Sequence, residues 1–173
     1  MGRLFSVIFL TSIMLAFAGC SSQVKRPESA DITRPVVKSL QDFSVEMSPE
    51  TKHKLADNIK FDIATLQSNL ERALKAHNLL SSNGDYRLKV TVSDIRVRST
   101  FNAVMWGFMA GDDHLTGDIT LMNLEDEPVY DFQASASYAL GGIGGGQDSS
   151  RMNWLYEKFS NIVVEELLQK RDQ

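Results

Sequence analysis

The sequence predicts an α+β two-layer sandwich of the α/β class, in which a mixed four-stranded sheet carries two helices on one face in the order β-α-β-β-β-α. Three observations predict this fold. Apolar and polar residues alternate from Tyr86 to Ser93, which indicates a half-buried strand. Leucine and isoleucine recur every three or four residues from Leu55 to Leu74, as on one face of a helix. A second pattern of helical spacing runs from Met152 to Leu167.

The first 19 residues have the layout of a secretory signal peptide. Arg3 and the terminal amine precede an apolar run from Leu4 to Phe17, which is followed by the small residues Ala18 and Gly19. The run is too short for a membrane-spanning helix. Residues 1–19 are therefore left out of the predicted fold.

The signal ends in Leu-Ala-Phe-Ala-Gly-Cys, which resembles the lipobox of bacterial lipoproteins. The resemblance implies that Cys20, the one cysteine of the sequence, is acylated and becomes the first residue of the mature chain. One acyl chain binds a bilayer only marginally, whereas the two or three chains implied here anchor a protein stably. Ser21 stands where Asp usually signals retention in the inner membrane, so the resemblance implies the outer membrane, periplasmic face. The alternative is an ordinary cleaved signal followed by a free thiol.

Residues 20–35 are predicted to form the lipidated N-terminus and a flexible tether, because they are polar and include Pro27 and Pro35. About 15 extended residues span at most roughly 50 Å, which would let the domain stand away from the bilayer. Residues 36–173 are predicted to form a single α/β periplasmic domain.

The predicted domain begins with a strand and a long helix. Alternating apolar residues between Phe43 and Met47 predict a strand within 36–47. Ser48 and Pro49 are suited to cap and begin a helix, which is predicted to continue to the stop signal Asn83-Gly84.

Three more strands and a helix are predicted to follow. The strand at Tyr86 should pair in parallel with the first strand, because a helix connects them. Leu115–Leu124 and Val129–Ala139 are separated by a short turn and should be antiparallel. Asp148 or Ser149 can cap the last helix. Its predicted apolar face comprises Met152, Leu155, Tyr156, Phe159, Ile162, Val163 and Leu167. The sheet face away from the helices is predicted to be polar and solvated.

The charge of the chain argues against a nucleic-acid partner. The sequence has 18 Lys and Arg against 22 Asp and Glu, and without Arg3 the balance is 17 against 22, a net charge of −5. Nucleic-acid binding proteins concentrate positive charge on one surface. No cofactor is predicted.

The stretches WGFMAGDDHLTGDITLMNLEDEPVYDF and SYALGGIGGG resemble a family of uncharacterised bacterial outer-membrane lipoproteins, described as a domain of unknown function. That family joins a lipobox to a β-α-β-β-β-α core with glycine-rich loops. Gly107, Ala110 and Gly111 match its first loop and Gly141–Gly146 its second, although the turn EDEPVYD lacks the expected Thr-Gly. The resemblance covers most of residues 36–170. It implies a non-enzymatic accessory protein with an envelope protein partner.

The segment Phe101–Ala110 is unusually apolar for a connection between strands. One interpretation is an exposed contact for a partner protein or the membrane, since aromatic residues and Met are favoured at such surfaces. The other is that the segment is buried against the sheet. The contact residues in the first interpretation are Phe101, Met105, Trp106, Phe108 and Met109.

The stretch GGIGGG lacks the lysine of a phosphate-binding P-loop and the spacing of a dinucleotide-binding loop. It is interpreted as a flexible connection. Its glycines are Gly141, Gly142, Gly144, Gly145 and Gly146.

The cluster Asp112, Asp113 and His114 carries the alternative function, a metal-dependent or hydrolytic periplasmic enzyme. Adjacent residues in a strand point to opposite faces, which argues against one shared ion. The non-enzymatic interpretation, with no metal site, is therefore preferred.

Overall fold

The computed structural model describes residues 20–26, 34–55, 61–98, 111–139 and 148–168. Within these residues the chain forms five strands and three helices. The strands are β1 Cys20–Lys25, β2 Leu40–Met47, β3 Tyr86–Arg96, β4 Asp113–Met122 and β5 Pro128–Tyr138. The helices are α1 Pro49–Lys54, α2 Ile63–Ala76 and α3 Asp148–Leu168.

The strands form one mixed sheet in the order β1-β5-β4-β3-β2. β2 and β3 are parallel, and the other neighbours are antiparallel. The parallel pair follows from the helical crossover between them, because a short turn cannot join parallel strands. The predicted pairing of these four strands is therefore confirmed, and so is the α+β class.

The core lies between one face of the sheet and the helices α2 and α3. β3 contributes Leu88, Val90 and Val92, and α2 contributes Leu66, Leu70 and Leu74, all buried. The seven residues predicted as the apolar face of the last helix are also buried. At Gly117 of β4 a Cβ atom would lie 2.8 Å from Cζ of Phe159, so the absent side chain lets α3 approach the sheet.

The opposite, open face of the sheet is polar, as the sequence predicts. Alternation along β4 turns Thr116, Asp118 and Thr120 to this face and Leu115, Ile119 and Leu121 to the core. Hydrogen bonds join neighbouring strands across the face, from Thr116 to Ser135 at 3.0 Å and from Gln133 to Asp118 at 2.8 Å. Lys54 of α1 reaches this face, where its Nζ lies 3.5 Å from Oδ1 of Asp94.

The fifth strand corrects the prediction of a four-stranded sheet. β1 lies within the segment predicted as a tether and pairs antiparallel with β5, from Cys20 opposite Tyr138 to Lys25 opposite Gln133. It is an edge strand whose residues 21–25 are exposed except for the half-buried Val24. Because so little of it is apolar, its sequence contains no alternating pattern.

The predicted long helix is wrong as a single element. α1 ends at Lys54, and α2 begins at Ile63 after the N-cap Asp62, whose side chain accepts a hydrogen bond from the Ala64 amide. α2 ends at Ala76 rather than near Gly84. Three helices therefore replace the two predicted. Ile59 of the predicted apolar face lies outside the described residues.

Candidate functional site at the loop end of the sheet

One end of the sheet gathers the ends of both segments that the sequence analysis singles out. Residues 99–110 join β3 to β4, and residues 140–147 join β5 to α3. β1 begins at the same end, because Cys20 lies opposite Tyr138 and Tyr138 lies opposite Asp113. We call this region the loop end.

The predicted contact residues and loop glycines lie outside the described residues. They are Phe101, Met105, Trp106, Phe108, Met109, Gly141, Gly142, Gly144, Gly145 and Gly146. Their roles stay predictions, and the described part of the loop end consists of the residues that flank them.

A buried ion cluster holds the loop end together. The Asp113 side chain is fully buried, and its Oδ2 lies 3.1 Å from Nη2 of Arg98 and 3.3 Å from Nε of Arg151. Its Oδ1 accepts a 2.6 Å hydrogen bond from the backbone amide of Arg98. Both arginine side chains are 2% exposed. We call these three residues the Asp113 cluster.

The Asp113 cluster ties together the chain at both loops. Arg98 donates through Nη1 to the carbonyl of Gly111 at 2.7 Å and through Nη2 to the carbonyl of Tyr138 at 3.1 Å. Arg151 donates to the carbonyl of Arg98 at 3.3 Å. Burying charge is costly unless it is paired and hydrogen-bonded. The cluster therefore fixes where residues 99–110 and 140–147 leave and rejoin the fold.

His114 and Asp112 lie apart from this cluster. β4 alternates, so His114 faces the open side of the sheet, where its Nε2 lies 2.9 Å from Oδ2 of Asp94. Its Nδ1 lies 3.7 Å from Oδ1 of Asp112. The hydrogen bond from His114 is the main cause that lowers the pKa of Asp94. The residues of the alternative enzyme hypothesis are thus divided between the core and the open face.

Among the residues described, no three His, Cys, Asp or Glu side chains are positioned to hold a metal ion. No helix in the described part of the chain is both long enough and apolar enough to cross a membrane.

A second ion cluster lies between α3 and the two sheet strands β1 and β5. Glu166 of α3 is fully buried and accepts hydrogen bonds from Nε and Nη2 of Arg26, both 2.8 Å. Nη2 of Arg34 lies 3.1 Å from the same carboxylate, and the hydroxyl of Tyr130 donates to it at 2.8 Å. Arg34 also stacks over the Tyr130 ring, 5.5 Å from its centroid. We call these four residues the Glu166 cluster.

The protonation of the Glu166 cluster follows from its contacts. Burial alone would raise the pKa of Glu166, but the hydrogen bonds from Arg26 and Tyr130 and the charges of both arginines outweigh it, so the pKa is lowered. Burial, followed by the bond to Glu166, raises the pKa of Tyr130. The bond to Glu166 raises the pKa of Arg26. The cluster is therefore a stable carboxylate between two cations at neutral pH.

Sequence reasoning missed both clusters, although helical spacing gives a signal for part of them. Glu166 lies four residues after Ile162, and Arg151 lies four residues before Leu155, so both charges fall within the apolar face of α3. A charged residue inside an apolar stripe indicates a buried partner. The partners themselves lie far away in sequence and could not be read from spacing.

One known protein family matches most of this fold. The family described as a domain of unknown function, DUF4410, matches residues 28–142, well over half of the chain. The chain belongs to this family. The DUF4410 match spans β2 to β5, together with α1 and α2, and leaves β1 and α3 outside. No curated protein matches the sequence.

Solved structures similar to this DUF4410 chain include three with low sequence identity. A PelC dodecamer from Paraburkholderia phytofirmans is 14% identical, with 87% of this chain and 99% of that chain covered and a TM-score of 0.44. A minor lipoprotein from Acinetobacter baumannii is 16% identical, with 74% and 92% covered and a TM-score of 0.37. A PDZ domain protein from Parabacteroides distasonis is 10% identical, with 94% and 40% covered and a TM-score of 0.39. At these values none of the three assigns a function to this chain.

Proposed function

We propose that this DUF4410 protein is a lipid-anchored accessory protein of the bacterial cell envelope. Acyl chains on Cys20 hold it to the outer membrane, and its domain faces the periplasm. There it acts as a non-enzymatic binding or assembly module for an envelope protein partner. The apolar residues of the segment Phe101–Ala110 provide the contact with that partner or with the membrane.

The observation that carries this proposal is the sequence Leu-Ala-Phe-Ala-Gly-Cys at the end of the signal segment. It explains why the one cysteine of the chain stands at the boundary between an apolar run and the first strand. Several acyl chains on one residue provide anchoring without a membrane-spanning helix.

The chemistry of the Asp113 cluster supports a non-enzymatic role. A general base needs an available carboxylate within reach of substrate. Both oxygens of Asp113 instead contact arginine groups, and the side chain is fully buried. His114 contacts Asp94 on the other face of the sheet.

Mass spectrometry of the protein from its native envelope tests the anchor. We expect residue 20 to be an N-terminal S-diacylglyceryl cysteine, with or without a third acyl chain on its α-amine. We also expect the wild type and a Ser22→Ala control in the membrane fraction. Cys20→Ser should remain unprocessed, with its signal segment attached. An unmodified thiol on a freely diffusing protein would contradict the proposal.

Density-gradient separation of inner and outer membranes tests the location. The wild type should sediment with the outer membrane, and Ser21→Asp should move to the inner membrane because Asp follows the cysteine in retained lipoproteins. Ser21→Ala is the matched control. If wild type and Ser21→Asp sediment with the same membrane, the proposed anchor stands but residue 21 is not the sorting signal.

A further inference from the structure

We infer that the end of the sheet formed by Cys20, Asp113 and Tyr138 faces the bilayer, so that a lipid surface is the partner of this end. This inference rests on the proposed acylation of Cys20. In this arrangement the domain is held in one orientation at the membrane, instead of moving freely on the long tether that the sequence predicts.

The first argument is the position of residue 20 in the sheet. Its Cα pairs with Tyr138, the last residue of β5, which pairs with Asp113, the first residue of β4. The residue that would bear the lipid therefore belongs to the sheet itself. No linker remains between it and the fold, and the loop end must lie at the membrane surface when the lipid is inserted.

The second argument is the way in which β1 is held along its length. Near its start, the hydroxyls of Ser21 and Ser137 lie 2.7 Å apart. Just past its end, Arg26 makes two 2.8 Å hydrogen bonds to the buried carboxylate of Glu166. Arg34 returns to the same carboxylate after residues 27–33. The cluster thus opposes release of β1, which as an exposed edge strand has little apolar contact of its own.

The third argument is the charge at the opposite end of the sheet. The exposed turn between β4 and β5 contains three consecutive acids, Glu125, Asp126 and Glu127. Asp126 is paired with Arg87, whose Nη1 lies 2.8 Å from its Oδ1, so Glu125 and Glu127 carry most of the uncompensated charge. The turn lies ten residues of β5 away from Tyr138, about 34 Å at the rise of an antiparallel strand. Anionic headgroups repel such a turn, so the electrostatic preference agrees with the orientation that β1 imposes.

The release of β1 would give a measurably different arrangement. Residues 20–33 could then extend by at most roughly 45–50 Å, and the domain would rotate freely at that distance. Fluorescence quenching by a headgroup-labelled lipid separates the two arrangements, because quenching decreases steeply with distance from the bilayer surface.

Helix α3 offers a row of labelling positions between the two ends of the sheet. It begins at the loop end, where Arg151 contacts Asp113, and passes Glu166 beside Tyr130. Ser150, Glu157 and Glu165 are exposed. Along the helix axis, Glu157 lies about 10 Å and Glu165 about 22 Å from Ser150. Once Cys20 is acylated, a cysteine at any one of them is the only free thiol.

The experiment uses full-length acylated protein in vesicles of phosphatidylethanolamine and phosphatidylglycerol with a nitroxide-labelled headgroup lipid. Fluorophores on Ser150→Cys, Glu157→Cys and Glu165→Cys should show progressively weaker quenching. The first should exceed the last at least about threefold, given the axial distances. Equal quenching at all three positions, or a reversed order, would overturn the inference.

Two variants test whether β1 causes the orientation. Arg26→Gln should flatten the quenching gradient, whereas the neighbouring exposed Lys25→Gln should leave it unchanged. A flexible Gly-Ser linker of about 15 residues between Cys20 and Ser21 can extend to roughly 50 Å. It leaves the core and both ion clusters in place and should also remove the gradient. Persistence of the gradient in the insertion variant would overturn the inference.

Failure of the inference and failure of the proposed function give different results. Acylated, membrane-bound protein with a flat gradient overturns the orientation alone. Protein that lacks acyl chains by mass and stays out of the membrane fraction overturns both.

Discussion

At the scale of single residues, the two buried carboxylates have related roles with different consequences. Asp113 lies between two arginines whose side chains are 2% exposed, so the whole ion cluster is shielded from water. Glu166 is equally buried, but Arg26 is 49% exposed. Removing a carboxylate is costlier where its cations cannot be rehydrated.

Replacement of Asp113 by Asn should therefore destabilise the fold strongly. We expect the free energy of unfolding to fall by about 3–5 kcal/mol, because the change leaves two buried guanidinium groups without their anion. Urea unfolding followed by circular dichroism measures this. Asp131→Asn, an exposed change in the neighbouring strand β5, should stay within about 0.5 kcal/mol of wild type. Similar losses in both variants would show that the cluster is not structural.

The Glu166 cluster predicts a loss of stability in acid. The folded-state pKa of Glu166 lies below its ordinary value of 4.5, so its carboxylate stabilises the fold fully above that pH. The contribution is lost as the pH falls from 4.5 through the folded-state pKa. Glu166→Gln should cost about 1–3 kcal/mol at neutral pH and weaken the decline in acid.

The matched control is Glu165→Gln, because Glu165 is the exposed neighbour on α3. Its unfolding free energy should follow the wild-type dependence on pH. An acid decline of equal size in Glu166→Gln and wild type would show that other carboxylates cause it.

At the scale of elements, the close approach of two backbone segments at Gly84 determines how the chain enters β3, which the hydrophobic pattern does not indicate. The sequence predicts that Asn83-Gly84 stops the long helix, but α2 ends eight residues before Gly84. A Cβ atom at Gly84 would lie 2.2 Å from the carbonyl carbon of Leu40 and 2.3 Å from the amide nitrogen of Gln41. The glycine therefore lets the chain before β3 pass against the start of β2.

Gly84→Ala should consequently destabilise the parallel pair. The obstructing atoms are backbone and cannot rotate away, so we expect a loss of about 2–3 kcal/mol in unfolding free energy, as for severe overpacking. Hydrogen exchange should show the protection of β2 amides lowered more than that of β4 amides. Asp85→Ala, an exposed change at the next residue, serves as the control, and equal losses in the two variants would refute the steric explanation.

The elements that the sequence predicts are those whose stability comes from apolar burial. The alternation in β3 and the apolar face of α3 appear directly as buried residues in the structure. β1 is different, because its stability comes from pairing with β5 and from the contact of Arg26 with Glu166, 140 residues away. The start of α2 is marked by the N-cap Asp62, which lies inside an otherwise continuous spacing pattern.

The loop end could be predicted only in part for the same reason. The composition of residues 99–110 and 140–147 marks both segments as unusual. That both begin at the same end of the sheet follows from strand order and register. The contacts of Arg98 with Asp113, Gly111 and Tyr138 join the residues that flank them. Neither can be derived from spacing along the chain.

At the scale of the whole molecule, the proposed acylation site Cys20, the Asp113 cluster and the residues that flank the apolar segment all belong to one end of the sheet. A contact made there would reach either the membrane or a partner that is itself close to the membrane. The polar open face, in contrast, presents hydroxyl, amide and carboxylate groups and has few exposed apolar side chains.

Crosslinking in intact envelopes tests whether the apolar segment Phe101–Ala110 makes the contact with the partner. Replacing Phe101, Trp106 and Phe108 together by Ser should remove partner crosslinks while the protein stays membrane-bound, because aromatic residues dominate contact energies. Thr116→Ala and Thr120→Ala on the open face form the control pair. If the triple variant keeps its crosslinks and the control pair loses them, the partner binds the open face instead of the apolar segment.

Strand β1 also implies an order of events during maturation. If Cys20 is acylated as proposed, the enzymes that cleave the signal segment and transfer lipid need residue 20 in an extended, accessible chain, whereas in the finished fold it pairs with Tyr138 at the sheet edge. We therefore expect processing to precede the closure of this edge. A precursor that retains its first 19 residues would then keep the long side of β5 uncovered, where chaperones that recognise unpaired strands can bind it.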